Sequence, residues 1–68
     1  MVTLHDLSLL LRELRNSRDA VQDFLDQSAS EIKSGDTGEY GFSLAKLQFD
    51  LFVKHVLELQ AKFKEYEP

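Results

Sequence analysis

Between Leu4 and Ile32 the large apolar residues recur at alternating steps of three and four. They are Leu4, Leu7, Leu11, Leu14, Val21, Leu25 and Ile32, with Arg18 and Ser28 holding the two remaining places in the register. Residues at that spacing share one face of an α-helix, so the pattern predicts an amphipathic helix. Thr3, with Asp6 three residues later, fits a capping box at its start. Lys33-Ser34-Gly35 supplies a basic last turn and a glycine suited to the position after the C-cap. The register passes through Asn16-Ser17 without a slip, and no Gly or Pro interrupts it there. One continuous helix is expected rather than two.

The second half carries a competing signal. From Leu47 to Phe63 almost every odd position is apolar, with His55 the exception, which alone reads as a strand. A strand of that length would extend about 56 Å at ~3.3 Å per residue, and no turn residue between Ser43 and Glu67 could fold it into a hairpin. Wound as a helix, the same residues bring Phe49, Phe52, Val53, Val56, Leu59 and Phe63 to one face. Asp50, Lys54, Glu58 and Lys62 form a ladder of alternating charge on the opposite side. Ser43 suits the N-cap, and Phe42 before it with Leu47 after it would make a hydrophobic staple.

All three glycines lie between Gly35 and Gly41, and the only proline is the last residue. The breakers therefore divide the chain into two helical segments and one turn. The expected fold is all-α: one helical-hairpin domain of coiled-coil type over 1–68, with a helix over 3–33, a loop over 35–42 and a helix over 43–66. At 1.5 Å per residue the helices would be about 45 and 36 Å long. A globular chain of this length has a radius of gyration near ~11 Å. A rod of the expected length cannot close a core on itself, so the hairpin should complete a bundle with a partner or a second copy.

Composition narrows the function classes. The chain has no cysteine, which removes disulfides and thiolate metal sites as sources of stability. Eight Lys and Arg stand against twelve Asp and Glu, a formal net charge of −4, and nucleic-acid affinity rests on many cation–phosphate contacts. No nucleic-acid partner is expected. The longest unbroken apolar run is Leu9-Leu10-Leu11, far short of the ~20 residues that span a bilayer, and no leader pattern precedes it. The sequence reads as soluble and cytoplasmic. Its acidity is concentrated in residues 1–32, where three Arg face six acids, while residues 43–68 balance four Lys with four acids.

Residue types that carry chemistry are present without the spacing that chemistry needs. His5 and His55 would be about 15 Å or more apart along the hairpin, with no metal-binding repeat on either helix. The serines include no nucleophile elbow, and the glycines follow a helix rather than the strand that precedes a phosphate loop. No catalytic residue, metal or cofactor is expected. Arg12, Arg15 and Arg18 stand three apart, but Glu13, Asp19, Asp23 and Asp26 surround them, and the set reads as a solvated, ion-paired face.

Apolar residues outside the two main stripes are more informative. Leu9, Ala20 and Phe24 point away from the first stripe, and Leu44, Leu47, Leu51 and Leu57 away from the second. Leu44, Leu47 and Leu51 fall at successive-turn spacing next to the loop. The expected partner interface is therefore Leu9, Phe24, Leu44, Leu47, Leu51 and Leu57, packed against another chain's helices.

A long acidic first helix, a turn reading Ser34-Gly35-Asp36 followed by Tyr40, and an apolar second helix together resemble the small co-chaperones of type III secretion needle subunits. The resemblance implies a non-enzymatic role. The hairpin would join a helical-repeat chaperone and hold the needle subunit soluble and unpolymerised in the cytoplasm until export, a task tied to virulence. Gly38 and Gly41 around the tyrosine depart from that pattern. Two other readings stand beside it: a homodimeric four-helix bundle with no dedicated client, and an RNA-binding hairpin dimer of the Rop type.

Overall fold

Thr3 opens the first helix with the reciprocal bonds its sequence promised. Its hydroxyl accepts the Asp6 N–H at 3.1 Å, and the Asp6 carboxylate accepts the Thr3 N–H at 3.0 Å. The bond from the Thr3 N–H, reinforced by the Thr3 hydroxyl, holds the Asp6 carboxyl below its ordinary range. The helix that follows, α1, runs unbroken over Leu4–Lys33. It ends as a Schellman turn. Gly35 adopts φ 91°, its N–H donates to the Ile32 carbonyl at 3.0 Å, and the Asp36 N–H donates to the Glu31 carbonyl at 2.9 Å.

The computed structural model describes residues 1–67, and its second helix, α2, spans Glu39–Glu65. The two helices pack side by side as an antiparallel hairpin, as the sequence led us to expect. The turn is shorter than expected, because α2 begins four residues before Ser43. Gly38, in the left-handed region at φ 78°, is the N-cap, so Ser43 lies inside the helix and the Phe42–Leu47 staple does not form. The missing side-chain cap is replaced from the other helix: the Glu31 carboxylate accepts the Gly41 N–H at 3.0 Å. Thr37 takes the Glu39 N–H at 3.2 Å. Glu31 thus accepts at the end of α1 through its carbonyl and caps α2 through its carboxylate, and the two bonds satisfy two of the four N–H groups that a helix start leaves free.

Burial follows a strict alternation of three- and four-residue steps along both helices. On α1 the covered positions include Leu7, Leu14, Ser17, Phe24, Ser28 and Glu31; on α2 they include Gly41, Ala45, Gln48, Phe52, His55 and Leu59. This seven-residue repeat is the pattern of a helix–helix seam. Its composition changes along the rod. Near the turn it is made of small residues, and the backbones meet: a Cβ added at Gly41 would lie 2.7 Å from the Ser28 nitrogen. The Ser28 hydroxyl closes this end by donating to the Gly38 carbonyl at 2.8 Å. Midway, Ser17 and His55 Nδ1 share a hydrogen bond of 2.8 Å. Toward the termini Val2, Leu7 and Leu59 form an apolar cluster with Leu10, Leu14 and Tyr66 against it.

This seam coincides only in part with the two main apolar stripes. Leu7, Leu14, Val21 and Ser28 belong to both seam and stripe, whereas Leu4, Leu11, Leu25 and Ile32 are exposed. On α2, Phe52 and Leu59 face α1, but Phe49, Val56 and Phe63 do not. The physical reason is close approach: the small residues at 28, 41 and 45 let the backbones touch, which a stripe of leucine and phenylalanine could not. The rod measures 54 × 15 × 10 Å, with a radius of gyration of 15.7 Å. That value exceeds the ~11 Å of a globular chain of this length, and among the described residues no large side chain is fully buried.

Candidate protein-docking faces

The seam fixes what each side of the hairpin presents. On one broad side the residues flanking it are Leu4, Leu11, Leu25 and Ile32 from α1, with Phe42, Phe49, Val56 and Phe63 from α2, all between 38% and 66% exposed. They recur every seven residues on α2, and on α1 with Arg18 in the place between Leu11 and Leu25, so they form two parallel rows with the seam between, the α1 row interrupted by one cation. Near the turn the rows enclose an open notch of about 240 Å³ lined by Val21, Leu25, Phe42, Ala45 and Phe49, with Lys46 and Asp50 at its edge. The Phe49 ring stacks on Phe52 at 6.0 Å between centroids, which ties the floor of this side to the seam. Lys46 Nζ stands 5.9 Å from the centre of the Phe42 ring.

The opposite broad side is a different surface. A depression at its terminal end is lined by Asp6, Glu13, Glu58 and Glu65, with Leu9, Leu10 and Lys62. The register adds Asp23 to this side, and nearer the turn Leu44, Leu47 and Leu51. Charge therefore separates across the hairpin. The apolar side carries Arg15, Arg18 and Lys46 in the rows beside its leucines and phenylalanines, with Glu39 its one acid in those rows, while most of the acids lie on the other side or the outer edges.

The six residues expected at a partner interface divide among three places. Leu47 and Leu51 are exposed on the acidic side, with Leu44 half-buried between them and the seam and Leu9 at the far end. Leu57 is exposed on the outer edge of α2. Phe24 is not on an outer face: it occupies a seam position, and its carbonyl would lie 3.0 Å from a Cβ at Gly41. Hydrophobicity left open which apolar face each helix turns to its sister, and the structure turns much of both main stripes outward, at Leu4, Leu11, Leu25, Phe49, Val56 and Phe63. The signal that could have decided the face was the run of small and polar residues Ser17, Ser28, Gly41, Ala45, Gln48 and His55, which keeps the same seven-residue register as Leu7 and Leu59.

His5 is exposed at one end, and His55 is committed to Ser17. Among the described residues no group of three or more His, Asp or Glu could hold a metal ion, and no helix is long and apolar enough to cross a membrane. Comparison with protein-family models, curated proteins and solved structures finds no match to this chain.

Proposed function

We propose that this protein is a non-enzymatic binding module that docks a helical partner on its broad apolar side. The observation that carries the reading is the double row of exposed leucines and phenylalanines flanking a seam that is built of small residues at the turn, holds a serine–histidine bond at its middle and closes on leucines only toward the termini. The rows run along a rod 54 Å long, room for a partner helix of several turns to lie against them. Burying a large apolar side chain outright is worth ~1.5–3 kcal/mol, so covering eight that are about half exposed supplies a driving force the lone hairpin lacks. The partners that the family resemblance supplies are a type III secretion needle subunit and its helical-repeat chaperone. In this reading the hairpin works in the cytoplasm as a co-chaperone that keeps the subunit unpolymerised.

Co-expression with a needle subunit and a helical-repeat chaperone, followed by size-exclusion chromatography with light scattering, tests this directly. The expected result is co-elution of the hairpin with its partners, and loss of that complex in Phe49→Glu with helix content retained. A hairpin that elutes alone, as a stable monomer unchanged by the presence of either protein, overturns the co-chaperone assignment.

A further inference from the structure

Charge on the apolar side selects among its occupants. Arg15, Arg18 and Lys46 border the apolar rows of a chain whose net charge is −4, and in those rows only Glu39, at the turn, opposes them. A second copy docked by this side would bring to the interface an equally basic border, with Glu39 again the one acid in its rows. Arg18 reaches Asp19 at 3.2 Å, but both side chains are 64% exposed, and an exposed pair of this kind exchanges partners at little cost. Asp50, at the rim of the notch, sits one row further round than Lys46, toward the outer edge of α2.

Resting on the docking reading above, we propose that the occupant of this side is an amphipathic helix of another protein whose apolar stripe is bordered by Glu and Asp. One large apolar side chain of that helix would fill the notch between Leu25, Phe42 and Phe49, and its acids would lie against Arg15, Arg18 and Lys46. The helix-in-groove mode supplies the geometry: anchors at i, i+3 or i+4, and i+7 run along a groove between two parallel rows. The acidic border supplies selection, through exposed pairs that salt screens.

The test uses the full chain and two synthetic 21-residue helical peptides with the same leucine and phenylalanine stripe, one flanked by Glu and the other by Lys. Titration calorimetry at low salt is expected to show the Glu-flanked peptide binding about tenfold more tightly, with the gap closing at 0.5 M salt. The charge-reversed chain R15E/R18E/K46E, checked for helix content, is expected to invert the preference, and Phe49→Glu to weaken both peptides. Equal affinity for the two peptides in the unaltered chain overturns the acidic-partner inference and leaves the docking reading standing. No binding of either peptide overturns both. If sedimentation shows a self-assembled chain that Phe49→Glu dissociates and that excludes both peptides, the occupant is a second copy and the inference fails.

Discussion

Replacing Gly41 by alanine separates the observed seam from a looser hairpin. Gly41 lies in the first turn of α2 without a positive φ, so alanine there suits the helical backbone and gains ~1 kcal/mol from propensity alone. Against that gain stands contact with backbone, which cannot rotate aside. The added carbon would sit 2.7 Å from the Ser28 nitrogen, 2.9 Å from its Cα and 3.0 Å from the Phe24 carbonyl oxygen. Overpacking of this kind costs ~1–3 kcal/mol, more where no flexible side chain can give way, so the net expectation is a loss of about 1–2 kcal/mol. In a domain of this size each kcal/mol moves the midpoint by ~4–8 °C, and thermal unfolding followed by circular dichroism should show a fall on that scale. Gly35→Ala is the control: it meets open space but stands at φ 91°, so its cost of ~1 kcal/mol comes from the backbone alone and leaves the helix contact unchanged. A Gly41→Ala chain that melts higher than the original refutes the close approach, because a glycine in a solvated loop would have only the propensity gain to show.

Two other features of the seam and cap carry measurable consequences. The Ser17–His55 bond joins two positions that face each other midway along the rod, and Ser17 is 4% exposed. A double-mutant cycle with Ser17→Ala and His55→Ala should return a coupling of about 0.5–1.5 kcal/mol by urea unfolding, and a coupling of zero removes the bond as a stabilising contact. The lowered pKa of Asp6 gives the N-terminus of α1 a signed pH dependence. The carboxylate's contribution is complete above its unfolded pKa and is lost as pH falls through the lower folded value. Asp6→Asn should therefore destabilise the chain at pH 7 and flatten the acid limb of its stability profile, and an unchanged acid limb counts against the capping box.

The all-α hairpin was legible because its determinants are local. Thr3 with Asp6 and Ser34-Gly35 mark the ends of α1 by sequence alone, and the glycines between 35 and 41 allow only one turn. Which face each helix turns inward was not legible from hydrophobicity. Leu11 and Leu14 look alike in sequence, yet one is exposed and the other half-buried, because what lies opposite decides. The start of α2 was missed for a related reason. Ser43 is a better N-cap than Gly38 in isolation, but Glu31, ten residues before Gly41, supplies the acceptor from across the seam. Leu47 and Leu51 lie exposed away from the seam and Leu44 half-buried beside it, while Phe24, read as pointing outward, is half-buried at a seam position where its carbonyl approaches Gly41.

The division of labour between seam and faces follows from these misreadings. A hairpin that spent its leucines and phenylalanines on the contact between its own helices would have a wider, greasier seam and little left outside. Here glycine, alanine and serine make the contact near the turn, a serine–histidine bond joins its middle, and a small cluster around Leu7 and Leu59 closes the terminal end, so the helices are held in register while few large side chains are buried. The large side chains are carried outward in two rows, with cations beside them and the acids mostly elsewhere. Register and binding are thereby placed on different residues. Changes at Ser28, Gly41 or His55 should act on the fold, and changes at Leu25 or Phe49 on association. The same separation explains why so thin a rod can carry so much exposed apolar surface: the hairpin's geometry does not depend on covering it.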